Sequence, residues 1–264
     1  MHHFEDTPLP FPPAPSASSP RAPGTAYSLT PLGVMHSDYP DKFGVPRQPG
    51  LALAARATLV LDPPFNDPLA VRGLSAFSHL WITFVFHQAL QANDRFTPLV
   101  RPPRLGGNQK VGIFASRSPN RPNRLGLSLV TLEKVETRGG VRLTLGGCDL
   151  VDQTPVVDIK PYIPWVEARP DAQAGFAPAP PPEVEVVFYP PACAALDQRC
   201  DGASLKALIE QVLRQDPRPA YQHTRRGGGR VHGVRLRDVD VTFQALDDAS
   251  PTTLAVVGIE PLPE

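Results

Sequence analysis

The sequence predicts a mainly β protein: a compact antiparallel β-barrel followed by a small C-terminal αβββ module. Three observations point to it. Short apolar runs rich in Val, Leu, Ile and Phe recur from Tyr27 onward, separated by Pro and Gly turns. No strand–helix–strand alternation occurs before Pro190, so a parallel α/β sheet has no basis. The clearest helical spacing, Ser204–Arg214, comes near the C-terminus.

The elements follow in order. Residues 1–26 hold seven prolines among Ser and Ala and almost no large apolar side chains, which predicts a disordered Pro-rich extension. Residues 27–170 carry the barrel, with runs at Tyr27–His36, Arg56–Leu61, His79–His87, Val111–Arg117, Leu127–Val135, Val141–Cys148 and Val156–Tyr162. A sheet that closes on itself leaves no open edge. Residues 171–190 are a Pro-rich linker ending in a strand, Val184–Tyr189. Residues 191–264 form a small α+β domain. Its helix places Leu205, Leu208, Ile209, Val212 and Leu213 on one face, with Asp201 and Ser204 as candidate N-caps and Asp216-Pro217 as the stop. Strands Val231–Leu236, Val239–Leu246 and Leu254–Ile259 follow. A unit this small packs on the barrel rather than standing alone.

Composition removes several function classes. With 41% hydrophobic and 20% charged residues among 264, the chain can build a core. No apolar run approaches the roughly 20 residues of a membrane helix, and no basic-then-apolar leader opens the chain. Cys148, Cys193 and Cys200 form no C-x-x-C pair, which argues against disulfides and structural zinc and for a reducing cytoplasm. Gly106-Gly107, Gly139-Gly140 and Gly227–Gly229 do not sit between a strand and a helix, so no dinucleotide-binding turn is present. The net charge is zero, yet Arg95, Arg101, Arg104, Lys110, Arg117, Arg121 and Arg124 fall in a stretch, to Leu132, with no Asp or Glu. Arg outnumbers Lys 21 to 5, which explains Arg in place of Lys but not the missing acids. The result is a local positive field suited to nucleic acid.

Five segments carry chemistry. In Lys42–Gly50 two prolines stiffen a loop that holds out Arg47 and Gln48, next to Pro49. A fixed guanidinium and amide suit a ligand with a carboxylate and a heterocycle; on residues alone, a rigid surface turn is the simpler reading. In Phe77–Gln88 strand alternation puts His79, Trp81, Thr83, Val85 and His87 on one face, with the histidines about 26 Å apart, too far to share a metal. His87-Gln88 closes that strand. Arg101–Asn108 and Ser116–Ser128 are Pro-bound basic loops in which polyproline geometry puts Arg101 beside Arg104 and Arg121 beside Arg124. Asn108, Asn120 and Asn123 add amides able to read base edges. The fifth, Cys148–Tyr162, reads as strand, turn, strand with Asp149 and Asp152 in the turn, bonded to backbone amides or free to bind ribose or accept a proton.

Taken together, KFGVPRQPG, AVRGLSAFSHLWITFVFHQ, VRPPRLGGN, SRSPNRPNRLGLS, DLVDQTPVVDIKPY and QDPRPAY resemble the TrmO (TsaA-like) family of tRNA methyltransferases. The resemblance runs from about Leu29 to the C-terminus. It implies an antiparallel barrel that binds S-adenosylmethionine without a Rossmann sheet or knot and works as a homodimer. It implies a substrate, adenosine 37 in the anticodon loop of threonine tRNA, already carrying an N6-threonylcarbamoyl group and then methylated on N6. The cofactor contacts it implies are Arg47, Gln48, Pro49, His87, Gln88, Arg117, Leu127 and the turn Asp149, Leu150, Val151 and Asp152. The basic-loop residues Arg101, Arg104, Asn108, Arg121, Asn123 and Arg124 are assigned to the tRNA. The family pattern gives no general base; we assign that role to Asp152.

Two other readings stay open at this point. A non-enzymatic RNA-binding barrel would need the basic loops but not Arg47 and Gln48. A hydrolase built on His87 and Asp152 finds no G-x-S-x-G or metal motif to support it. Removal of residues from about 191 onward is expected to harm tRNA methylation more than cofactor binding.

Overall fold

A computed structural model describes residues 26–91, 96–102, 109–218, 230–246 and 253–263. The Pro-rich extension lies almost entirely outside them, as do Arg104 and Asn108. From Pro31 onward the chain forms one compact unit.

In chain order the strands are β1 (Gly33–Ser37), β2 (Arg56–Leu61), β3 (His79–Val85), β4 (Leu99–Val100), β5 (Val111–Gly112), β6 (Leu125–Glu136), β7 (Arg142–Gly146) and β8 (Thr154–Pro161). Six of them close an antiparallel barrel in the order β1-β2-β7-β6-β3-β8, while β4 and β5 form a separate two-stranded ladder. Strand β3 shows the pattern most clearly. Leu80, Ile82 and Phe84 point into the core, and His79, Trp81, Thr83 and Val85 point out. Strands β6 and β8 flank it, with Val85 opposite Leu125 and Phe84 opposite Val156. The barrel core joins these residues to Met35, Leu59, Val130, Leu143, Leu145 and Leu150.

Some expected strands are shorter. β1 begins only at Gly33, just beyond Pro31, a residue with no N–H for a ladder. The run Val111–Arg117 keeps a strand only at Val111–Gly112 and then turns. There the Ser116 hydroxyl and its N–H both bond the Ile113 carbonyl, at 2.8 and 3.3 Å, which competes with strand pairing.

Beyond a single turn of helix, α1 (Pro164–Glu167), the C-terminal module begins earlier than expected and is richer. β9 (Glu185–Phe188) leads into α2 (Pro190–Asp197), α3 (Gly202–Arg214), β10 (Val231–Leu236), β11 (Val239–Ala245) and β12 (Thr253–Pro261). The sheet runs β10-β11-β12-β9, with β9 parallel to β12. The αβββ expectation therefore gains a strand and a helix. α2 opens on Pro190-Pro191, which suits a first helical turn, and buries Ala192 and Leu196 four residues apart. In α3 the apolar face is buried as the spacing requires. Asp201 holds the cap position, but its carboxylate is bound to Arg199 and Arg237 instead of capping. Ser204 lies inside the helix and donates to the Asp201 carbonyl at 3.0 Å.

Candidate active site

One end of the barrel brings together the C-terminal ends of β1 and β3 and the N-terminal ends of β6 and β8. A cavity of about 440 Å³ opens there, within the usual range of roughly 300–1,000 Å³ for small-molecule sites. Its apolar lining includes Val45, Phe84, Phe86, Leu150 and Val151. Phe84 and Phe86 meet edge to face with ring centroids 5.0 Å apart. Phe84 can lie where it does because its neighbour on β6 is glycine: a Cβ on Gly126 would fall 2.3 Å from Phe84 Cζ. A register shift between Thr83 and Phe84 in the β3–β8 pairing also sits here, a device that commonly re-aims a side chain beside a site.

Few polar groups face this cavity. Asp149 is held by Ser128, whose hydroxyl donates to Oδ1 at 2.6 Å. Burial pushes the Asp149 carboxyl up to about 6, against the opposing pull of Ser128 and the Arg117 charge. His87 also lines the cavity. Burial, then the Lys42 charge, lower its imidazole below the ordinary histidine value against the opposing pull of Asp152, and the net shift favours the neutral ring. The Thr154 hydroxyl donates to the Val151 carbonyl at 2.6 Å and sits 3.4 Å from His87 Nδ1. Lys42 Nζ donates to the Gln88 carbonyl at 2.5 Å and bridges the mouth. Such a room, apolar with a few convergent polar groups and one carboxylate, has the character of a small-molecule site.

Residues 34–168 match the tRNA-methyltransferase O N-terminal domain and residues 181–262 match the TrmO C-terminal domain. The chain belongs to the TrmO family. The tRNA (adenine(37)-N6)-methyltransferase of Escherichia coli is 47% identical over 228 residues, covering 84% of this chain and 95% of its own. The Pseudomonas aeruginosa protein RcsF, named as an S-adenosylmethionine-dependent methyltransferase, is 49% identical over 219 residues, covering 81% of this chain and 91% of its own. The crystal structure of TrmO from P. aeruginosa superposes with a TM-score of 0.72 at 40% identity, covering 89% of this chain and 99% of that one.

Within this TrmO fold the expected site residues divide. His87, Gln88, Asp149, Leu150 and Val151 line the cavity together. His87 gets there because β3 stops at Val85 and a 3-10 turn begins at His87, so His87 leaves the outward face that strand alternation gave it. Asp152 lies in the same turn but off the cavity lining: Oδ1 accepts the Ser37 N–H at 2.9 Å and Oδ2 accepts Gln153 Nε2 at 3.1 Å. Arg47 is exposed, Gln48 and Pro49 are half-buried, and none of the three lines the cavity. Leu127 points outward from β6, 49% exposed. Arg117 reaches the site through its field at Asp149.

The basic segment Ser116–Ser128 takes a different shape from polyproline, and most of Arg101–Asn108 lies outside the described residues. Arg121–Arg124 is a tight turn in which the Arg124 N–H bonds the Arg121 carbonyl at 3.0 Å and Arg124 has φ +51°. Such a turn brings its first and last residues close, so the two arginines are neighbours by another route. Arg121 Nη1 donates to the Ser116 carbonyl at 2.8 Å and braces the loop. Pro119 and Asn120 of that loop line the cavity, which joins the basic segment to the site. Arg101 and Asn123 are exposed. The reading from sequence passes over Lys42, Val45, Phe84, Phe86 and Thr154 as site residues. All five lie in or beside quoted motifs, but only the turn after Val85 and the close approach at Gly126 make them a wall.

Proposed function

We propose that this chain is an S-adenosylmethionine-dependent tRNA methyltransferase that acts on N6 of adenosine 37 in threonine tRNA already bearing an N6-threonylcarbamoyl group. The observation that carries the proposal is the barrel-end cavity, walled by Phe84, Phe86, Leu150 and Asp149 and continuous with a basic segment free of acids. The names of the E. coli and P. aeruginosa relatives support the base, its position and the cofactor. A homodimer in the cytoplasm, working on the anticodon loop, completes the proposal.

When bound, S-adenosylmethionine supplies an electrophilic methyl group. His87, Gln88, Leu150 and Val151 would hold it, with Val45, Phe84 and Phe86 keeping water from the reacting atoms. The chain's own chemistry is orientation and proton removal. The exocyclic nitrogen of plain adenosine is a poor nucleophile because its lone pair is delocalised into the ring. Acylation makes its remaining proton more acidic, so a carboxylate can take that proton as the new N–C bond forms. The sequence reading gives this task to Asp152. The place of Asp149 on the cavity wall, with Asp152 fastened to Ser37, supports moving it to Asp149. The carboxylate of the threonyl group offers a handle for the basic loop around Arg121 and Arg124, and holding it would orient the nitrogen.

Calorimetry with S-adenosylmethionine, paired with nucleoside mass spectrometry of tRNA from a deletion strain, tests this reading. Binding by the purified protein and loss of the N6-methylated nucleoside in the strain are expected. A non-enzymatic RNA-binding barrel would bind tRNA alone and leave the nucleoside profile unchanged.

A further inference from the structure

The loop that follows β1 has two faces. Lys42 and Val45 line the cavity. Gly44, between them, backs onto the C-terminal module: its φ is +91°, and a Cβ there would lie 2.3 Å from Val234 Cγ2 and 3.6 Å from Val212 Cγ1. Phe43 and Val45, with Tyr39, Ala52 and Ala55, pack into the hydrophobic cluster of the C-terminal module and not into that of the barrel. A stretch of the N-terminal half thus uses the C-terminal core as its own.

Polar contacts follow the same seam. The Ala54 N–H donates to Gln211 Oε1 of α3 at 2.8 Å. Asp38, where β1 gives way to the loop, accepts Arg237 Nε at 3.1 Å through its carboxylate and the Arg237 N–H at 2.9 Å through its carbonyl. Arg237 Nη1 also donates to Asp201 Oδ2 at 3.0 Å and to Ser204 Oγ at 2.9 Å. One guanidinium therefore ties the barrel, the start of α3 and the β10–β11 turn together. Arg237 sits in that turn with φ +54°, a conformation a non-glycine residue keeps only where its surroundings fix it. Immediately after Asp38, the Tyr39 carbonyl accepts the Asp152 N–H at 2.8 Å, so the same seam reaches the turn that carries Asp149.

We infer that the C-terminal module is a working half of the cofactor site, in which Val234 and Arg237 are positioning residues that press the Asp38–Ala55 loop against the cavity. The inference rests on the reading that this cavity takes S-adenosylmethionine. Neither residue lines the cavity; each acts on the loop that does. Preorganising that wall spares the cofactor the cost of ordering it, which shows as affinity. On this inference loss of the module costs cofactor binding along with tRNA methylation, where the sequence leads one to expect the greater harm to methylation.

The test uses the full chain with Arg237→Ala, Arg237→Lys and Val234→Ala, and S-adenosylmethionine as the titrant and the varied substrate. Removing the shared hydrogen bonds of Arg237 is expected to raise both Kd and KM for S-adenosylmethionine about tenfold. The kcat at saturating cofactor and the KM for tRNA should stay near the wild-type values, and Arg237→Lys should recover part of the affinity. Val234→Ala, a truncation directly behind Gly44, should weaken cofactor binding in the same direction and stands in if Arg237→Ala does not fold. Folded variants with wild-type cofactor affinity would overturn the inference, as would equal losses for cofactor and tRNA, which mean general loosening. A wild-type protein that fails to bind S-adenosylmethionine would overturn the underlying functional reading instead.

Discussion

Asp149 and Ser128 meet at 2.6 Å on a cavity wall that is otherwise mostly apolar. Below about 6 the buried Asp149 carboxyl holds its proton and cannot accept another; above it the carboxylate is available. Methyl transfer should therefore rise as pH passes about 6 and then level off. Asp149→Asn should remove that acid limb and lower kcat by roughly 10²–10⁴-fold, while the KM for S-adenosylmethionine changes less. Single-turnover rates from pH 5 to 8 check this. A limb that persists in the Asn variant would belong to another group, such as His87 on the same wall. A second test concerns Gly126. With alanine there, the Phe84 ring on the cavity wall must shift, and overpacking of this kind costs about 1–3 kcal/mol. Thermal unfolding should fall accordingly and cofactor affinity should drop with it; an unchanged Kd would separate the ring from the site.

At the scale of elements, the basic loops are expected to set the tRNA contact. Arg101 is exposed on a segment without a nearby acid in sequence. Arg101→Ala should flatten the salt dependence of tRNA binding by about 0.7 of a log unit per log unit. Arg121→Ala should weaken binding by more than one lost contact explains, because Arg121 also braces Ser116. Slopes that do not move in any of these variants would put the tRNA on another face. Elements differ in how plainly they are written in the chain. Arg56–Leu61 reads as a strand and is one, since its alternation matches its burial residue by residue. α3 is legible for the same reason at helical spacing. Pro190–Asp197 is not, because two prolines and a run of alanines resemble the end of a linker. The Asp149–Asp152 turn is visible as a turn, but which carboxylate faces the cavity depends on Ser37 and Ser128, on strands far away in sequence.

For the molecule as a whole, barrel and module are separate in sequence, yet the loop after β1 enters the module's core in space. Motif spacing shows the first fact; only the packing of Tyr39, Phe43 and Val45 shows the second, since nothing in a loop's own residues says whose core they enter. A chain ending before β9 would expose that apolar cluster, and it is expected to lose cofactor binding together with tRNA methylation; a truncated protein that binds cofactor as the intact one does would count against the shared core. The substrate is tested most directly by one comparison. Purified threonine tRNA with and without the threonylcarbamoyl group is incubated with this protein and methyl-labelled S-adenosylmethionine, and label in nucleoside 37 is measured. Label should enter only the carbamoylated tRNA, because only there does the nitrogen carry an acidified proton for Asp149 and a carboxylate handle for the basic loop. Equal labelling of both tRNAs would contradict the mechanism, and labelling of the unmodified tRNA alone would contradict the substrate as well.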